Sequence, residues 1–456
     1  MKITTWQAGG VYSARHTFDL SYVHLEKRKN EKRYHLWLIG ILAIGMLFVA
    51  STLAFSTPET LFLSDNGTWT IARNLVSGRG YTACDTAYFP ACATTSQVTA
   101  MREPVPVLLM AVAMLIFPSA YSGVILQGLL YLGTTLVIYT TLKDKNHRVA
   151  LLAALLWTIS LPVITELNND SGELAAAFFL SLGLFQLRKG WQASSRRDWL
   201  LAGIFMGLAA LSRTVLLGVA IGLGMAFLVH GLWGFSSNKR ERISHALAFL
   251  LMVGLVFAPW LVRNTLAFGQ PVLGSTLTGY NVFRMNSILA SGNYNPHYVG
   301  AEEGYAAVQK LVTTTHLSGL ENEAQMQDVY MQAGLQIIQQ HPLQYIGLSL
   351  YRFLVLWFNT SVKASYHMST GLKDVLTVIQ QAFLLLAVLA VGLRKFKRNW
   401  PLLLILILGS GAYMAIGAQL RYLVDFMPAV VILAAQAIPT WKSMTRWVTQ
   451  TAVISG

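Results

Sequence analysis

The groups in this sequence that could move a proton or hold a phosphate stand at the edges of its apolar runs. The stretch from Leu63 to Pro106 lies between two such runs. It carries Asp65, a helix-like segment, a Gly78-Arg79-Gly80 turn, both cysteines and the triplet Arg102-Glu103-Pro104. A carboxylate held beside an apolar boundary can take the proton of a hydroxyl. Asp65 has an equal alternative as a helix cap, because Ser64-Asp65-Asn66-Gly67 precedes the helix-like segment and aspartate is favoured at a cap. Arg102, Arg263 and Arg421 each stand where an apolar segment begins or ends. A guanidinium there can grip phosphate oxygens in a fork or reach to lipid head groups. Glu166, Asp170 and Glu173 fall within eight positions of one another, and Arg213 sits at a turn between two apolar runs.

Cys84 and Cys92 are separated by seven residues that include Pro90. In an oxidising compartment such a pair forms a disulfide, the alternative being two unpaired thiols. No CxxC or His-x-x-His spacing accompanies them to suggest zinc. His297 and His316 are further candidate ligands in polar segments, where a lone histidine is more often simply exposed.

What positions these groups depends on the solvent around the chain. Of the 456 residues 54% are hydrophobic and 12% charged, and the mean hydropathy is +0.50, values outside the soluble range. Apolar runs of the length that crosses ~30 Å of hydrocarbon occupy 36–56, 120–142, 148–166, 171–188, 244–262, 374–393, 400–417 and 422–439. The stretch 199–234 is too long for one helix and divides near Ser212-Arg213 into a pair. The expected architecture is therefore an all-α integral membrane protein of about ten transmembrane helices. The first run follows a basic segment as a signal peptide does. It has no small-x-small cleavage pattern ahead of a polar chain, and is read as retained.

A net charge of +14 in a soluble protein would suggest nucleic acid, so the placement of the charges matters more than their sum. With a cytoplasmic N-terminus and ten alternating helices, the inside segments carry 23 of the 34 basic residues and 6 of the 20 acids. That is the positive-inside pattern, and it gives no call for a nucleic-acid partner. The expected organisation is a cytoplasmic basic tail (1–35), a polytopic membrane domain (36–439) and a second cytoplasmic tail (440–456). Two large outer segments, 57–119 and 263–373, each contain a run too short or too amphipathic to span: Val105 to Phe117, and Leu343 to Phe358 with Arg352 inside it. Both are expected to lie in the outer interface. Glu321 to Gln340 reads as a helix ended by His341-Pro342, part of an outer cap. Both termini are expected in the cytoplasm and the two large segments on the far side of the membrane.

Five motifs in order resemble a known family: Asp65 in SDNGTWTIARNLVSGRGY, Arg102-Glu103-Pro104 opening an apolar run, Leu211-Ser212-Arg213 inside a hairpin, Pro259-Trp260-Leu261-Val262-Arg263-Asn264 ending a helix, and Arg421-Tyr422 ahead of Pro428. They look like the C-type (GT-C) membrane glycosyltransferases, in the branch that holds the dolichyl-phosphate-mannose protein mannosyltransferases and the bacterial aminoarabinose transferases. The resemblance implies transfer of a sugar from a polyprenyl-phosphate donor to a lipid, glycan or protein acceptor on the extracytoplasmic face. It makes Asp65 the general base, Glu173 an acid facing the site, and Glu103 an acid near the donor that could share a divalent metal ion with Asp65. Arg102, Arg421 and Arg263 become donor phosphate ligands. The aminoarabinose transferases carry an acid-Lys-Pro-Pro form where this chain has Arg102-Glu103-Pro104-Val105. A single displacement with one base inverts the anomeric centre. The competing class is a lipid or solute transporter or flippase, which would place ionisable groups near the midplane. Here the acids gather in loops at one face, with Asp425 the exception and Arg421 its expected partner one turn earlier.

Overall fold

A computed structural model describes residues 20–57, 67–86, 88–89, 92, 97–233, 238–290, 301–315, 321–359 and 370–437. Asp65, His297 and His316 lie outside the described residues. The helices are α1 (Leu20–Phe55), α2 (Thr68–Val76), α3 (Pro104–Ile116), α4 (Ser122–Leu142), α5 (His147–Thr158), α6 (Leu161–Thr165), α7 (Glu173–Ala193) and α8 (Arg196–Ala210). They continue with α9 (Val215–Trp233), α10 (Lys239–Phe268), α11 (Leu277–Asn286), α12 (Ala301–Thr314), α13 (Glu323–Gln340), α14 (Pro342–Phe358), α15 (Thr370–Ile416) and α16 (Met427–Ala435). The only sheet-like pairing among the described residues is one antiparallel bridge, Thr82 with Val98. The chain is an all-helical membrane protein, as its composition requires.

Among the described residues five helices are long and apolar enough to cross a membrane, and a sixth span arises if the bent pair of α5 with the segment from Leu161 is one crossing. The expected ten spans correspond to more fragmented elements than the hydropathy suggested. The run 148–166 bends by 48° at its break, where Pro162 opens α6 and the missing amide interrupts the ladder. The run 422–439 begins as a 3-10 segment, Leu420–Phe426, before α16 starts with Pro428 in its first turn. Conversely, α15 joins two expected spans across a kink at Lys395, with Pro401 a few residues on. The helix α1 begins at Leu20, so the basic tail expected through residue 35 is in part helical.

The main core joins α4 to α10 with α15 and α16, around Tyr131, Trp157, Leu180, Phe249 and Phe426. A second cluster holds the cap to α2 and α3 through Ile71, Val107, Met110, Phe283, Met326 and Tyr330. Both runs expected to lie in the outer interface are helical, as α3 and α14. In α14, Leu343, Ile346, Leu350 and Leu354 are exposed at the spacing of one helix face, while Arg352 turns inward and is only 5% exposed. Its guanidinium donates to the carbonyls of Met414 (3.3 Å), Ala415 (3.2 Å) and Met285 (2.6 Å) and to Asn286 Oδ1 (3.1 Å). Bonds from a charged donor contribute roughly 1.5–3 kcal/mol each, so Arg352 ties α14 to the end of α15 and to the cap helix α11.

The cap is docked through one buried acid. The capping box of Asn322 and Gln325 starts α13, and Glu323 follows with Oε2 accepting from Ala100 N (2.9 Å) and Thr276 Oγ1 (2.9 Å). Thr276 N in turn donates to the Ala100 carbonyl at 3.0 Å. The segment that leads into α3 is therefore clamped from above.

Candidate functional site

Four chain segments meet at one corner of the bundle. The first is the entry to α3, where Glu103 is extended (φ −68°, ψ 148°) and Pro104 begins the helix, the position at which proline's fixed φ and missing amide cost nothing. The second is the entry to α7 at Gly172-Glu173. The third is the turn between α8 and α9. The fourth runs from Tyr413 in α15 through the 3-10 segment to Asp425. Gly172 makes the second and third contact possible: a Cβ there would lie 2.4 Å from the Ser212 carbonyl oxygen. That close approach sets Glu173 against Arg213. Gly274, at φ +124°, lets the chain after α10 pass over Thr214, where a Cβ would sit 2.1 Å from Oγ1, and only glycine adopts such a φ freely.

At the centre stands Arg213. Its guanidinium is 3.5 Å from Glu173 Oε1 and 3.6 Å from Asp425 Oδ2, accompanied by the Tyr413 hydroxyl at 3.4 Å and the Tyr422 ring at 5.0 Å. Tyr413 donates its hydroxyl to Asp425 Oδ2. Arg421 approaches Glu173 Oε1 at 3.8 Å and donates to Gln419 Oε1 at 2.8 Å. Glu173 and Asp425 are both 0% exposed. Two buried carboxylates and two guanidiniums thus compensate one another, which excellent geometry must provide if ions are to leave water. Glu166, also buried, is held by Asn169 Nδ2 and Ser171 Oγ, both at 2.9 Å.

Beside this cluster opens a cavity of about 160 Å³ lined by Arg102, Arg213, Arg284 and Arg421, by Glu103, and by Tyr88, Tyr280, Tyr413 and Tyr422. That is roughly tenfold the ~15 Å³ a water needs. A smaller cavity of about 20 Å³ continues toward α2, between Thr68, Arg102, Glu103, Gly172, Arg213 and Arg421. Four guanidiniums and one carboxylate face the larger space, so it favours an anion. Tyr280 and Tyr88 meet edge to face at 4.9 Å, and burial pushes the Tyr280 phenol up from its ordinary value, keeping it a neutral hydrogen-bonding wall.

The sequence-derived candidates fare differently. Arg102 and Arg421 are brought together at the cavity. Glu103 also lines it, with Oε1 accepting from Thr214 N (3.2 Å) and Thr214 Oγ1 (2.9 Å). Glu173 is not among the residues lining either of these cavities; it stands behind Arg213 and Arg421. Arg263 is directed elsewhere. It lies inside α10, and it donates to the carbonyls of Thr99 (2.8 Å) and Tyr81 (3.3 Å), with its guanidinium 5.1 Å from the Tyr81 ring. It braces the first loop and does not line the cavity. Cys84 and Cys92 form a disulfide in that loop, Cα 5.7 Å apart.

The expected pairing of Asp425 with Arg421 is replaced by Asp425 with Arg213 and Arg421 with Glu173. An i, i+4 pair shares a face only in an α-helix. Residues 420–426 are 3-10, with three residues per turn, so the two side chains diverge. The sequence placed Arg213 at a turn and in one of the five motifs, a position that also fits plain anchoring, and nothing in it singled out Tyr413 or Arg284. The acid in the last apolar run was the available signal, since an intramembrane carboxylate defaults to a functional role with a partner to be found.

Among the described residues no three of His, Cys, Asp and Glu gather as a metal site. Of the pair expected to share a divalent ion, only Glu103 is described, and one of its oxygens is engaged by Thr214.

Residues 100–262 match the family model described as dolichyl-phosphate-mannose-protein mannosyltransferase. No curated protein matches the chain. Among solved structures, the Archaeoglobus fulgidus oligosaccharyltransferase in its apo form is 15% identical with a TM-score of 0.54, covering 92% of this chain and 52% of that one. The same archaeal enzyme in complex with an inhibitory peptide and a dolichol-phosphate is 16% identical at a TM-score of 0.50, again over 92% and 52%. ArnT from Cupriavidus metallidurans bound to undecaprenyl phosphate is 14% identical at a TM-score of 0.38, over 89% and 78%. The chain spans about half the length of the oligosaccharyltransferase it matches, and at these identities the likeness is one of fold.

Proposed function

We propose, for a chain that carries the fold and the family signature of the C-type membrane glycosyltransferases, that it transfers a sugar from a polyprenyl-phosphate donor to a hydroxyl-bearing acceptor outside the cytoplasm. The observation that carries this reading is the cavity faced by four guanidiniums and one carboxylate. A phosphate is a good leaving group, so the demands on the protein are to hold its charge and to deprotonate the acceptor. Arg102, Arg213 and Arg421 hold the phosphate oxygens by charge-assisted hydrogen bonds. Glu173 and Asp425 fix the orientation of the arginines and are positioning residues.

In the reaction the acceptor oxygen attacks the anomeric carbon, its proton passes to the Asp65 carboxylate, and the bond from that carbon to the phosphate oxygen breaks. The electron pair leaves on the lipid phosphate. One displacement inverts the anomeric configuration. Asp65 precedes Gly67 by two residues, and Thr68 lines the smaller cavity with Arg102 and Arg421. These neighbours support Asp65 as the base. Glu103 orients the Thr214 turn and takes part in acceptor or metal binding, although no step passes through a metal. A complex of the fold's archaeal relative with dolichol-phosphate supports a lipid phosphate as the donor type. A bacterial inner membrane with the site facing outward is the setting we assign.

The test is Asp65→Asn in the full chain, assayed by mass spectrometry of envelope glycolipids and glycoproteins and by consumption of polyprenyl-phosphate sugars. Turnover falls by ~10²–10⁴, the size of a general-base contribution, with expression unchanged. Undiminished turnover removes Asp65 from the role, and solute or lipid flux without transfer removes the enzyme reading.

A further inference from the structure

A second and larger cavity, about 550 Å³, opens at the other end of the bundle. The helix α7 runs from Glu173 at the acid cluster to Arg188 at this cavity, a separation of about 22 Å at 1.5 Å per residue. Among the described residues five cations line it, Lys145, Arg188, Lys395, Lys397 and Arg398, and no carboxylate does. Leu142, Leu184, Leu187, Phe227 and Ile432 supply apolar wall. The kink at Lys395, with its non-helical φ of −125°, is what turns Lys395, Lys397 and Arg398 toward the end of α7.

Two buried groups point to a missing partner. Both terminal nitrogens of Arg188 are buried without a hydrogen-bond acceptor, and so is Asn399 Nδ2, on a side chain 5% exposed. A buried guanidinium without acceptors forfeits the bonds that offset its desolvation. Asp144 acts on Arg188 from the adjoining turn, while Arg398 opposes it. Burial, then Arg188 and Arg398, push the Lys145 amine below its ordinary value. Residues 438–456, which follow α16, contain no aspartate or glutamate to offer.

We propose that this cavity binds an anionic phospholipid, with its phosphate among Arg188, Lys397 and Arg398 and its acyl chains along the apolar wall. Basic pockets between membrane helices take such head groups, and the apolar wall favours a lipid over free phosphate. The site is separate from the proposed donor site and stands whether or not that reading holds.

The experiment is native mass spectrometry of the full chain in mild detergent, incubated with phosphatidylglycerol, phosphatidylcholine or inorganic phosphate. One phosphatidylglycerol is retained per chain in preference to phosphatidylcholine, and millimolar inorganic phosphate does not displace it. The double variant Lys397→Gln/Arg398→Gln, both exposed positions, weakens retention by roughly tenfold or more without loss of fold. Equal retention of the two lipids, or unchanged retention in the double variant, overturns the proposal. Displacement by inorganic phosphate makes it a free-phosphate site. Retention lost in Arg102→Ala but kept in the double variant places the lipid at the other end.

Discussion

The two ends of the bundle handle cations in opposite ways. At one, Arg213 and Arg421 are set against Glu173 and Asp425, within 3.5–3.8 Å, and the Tyr422 ring packs against both guanidiniums. At the other, five cations surround a larger space with no acid lining it among the described residues. Paired charges that are buried hold a geometry, because moving either partner exposes the other's desolvation. Unopposed charges at a boundary recruit, because only an incoming anion relieves them. The first end has the character of a site preorganised for a reaction and the second that of a site for a resident ligand.

Removing a charge from each end is the strongest way to break this contrast. Arg213→Ala leaves buried Asp425 with only the Tyr413 hydroxyl and buried Glu173 with only Arg421, and should lower stability by about 3–5 kcal/mol, read as a fall in the thermal unfolding midpoint in detergent. Lys397→Ala, on an exposed side chain, should change it by less than about 0.5 kcal/mol. Equal losses would mean that the acid cluster is not an ionic unit. Arg421→Gln sharpens the picture at the reacting end. It removes a charged hydrogen bond of roughly 1.5–3 kcal/mol, so kcat/KM for the lipid-phosphate donor should fall by ~10- to 100-fold, and a loss carried by KM alone would place Arg421 in donor binding only.

The smallest effect concerns the cap. Burial raises the Glu323 carboxyl above the usual carboxylate range, its hydrogen bonds from Thr99, Ala100 and Thr276 and the Arg263 charge working against that shift. The native state then binds this proton more tightly than the unfolded chain does. Stability should therefore rise as pH falls from above the raised value toward the ordinary one, by at most about 1.4 kcal/mol per pH unit. Glu323→Gln should flatten that slope in unfolding midpoints measured across pH. An identical slope in the variant would assign the dependence to other groups.

Much of this was legible in the chain because lipid is a demanding solvent. Every backbone polar group must be satisfied within a helix there, so apolar run length alone foretold the helices, and the short run before Phe117 duly became α3. Arg102, Glu103 and Arg421 stood out as charges at the ends of apolar runs, and the structure brings those three to one cavity. Arg213 had the same signature, in a motif of its own, but was given no part at the phosphate. Nothing local tells a guanidinium that meets head groups from one that meets Glu173, whose sequence position is forty residues away. Arg263 shows the converse, since its placement at a motif's end says nothing of the carbonyls of Thr99 and Tyr81 that occupy it.

By itself, then, the sequence determined the solvent, the helical class and the types of group available to a phosphate and a hydroxyl, because these follow from composition and period. Which acid faces which arginine was decided only in three dimensions. It turned on a glycine thin enough to let two turns touch and on a 3-10 segment that rotates Asp425 away from Arg421. These are contacts between segments far apart in the chain, and local propensity carries no record of them.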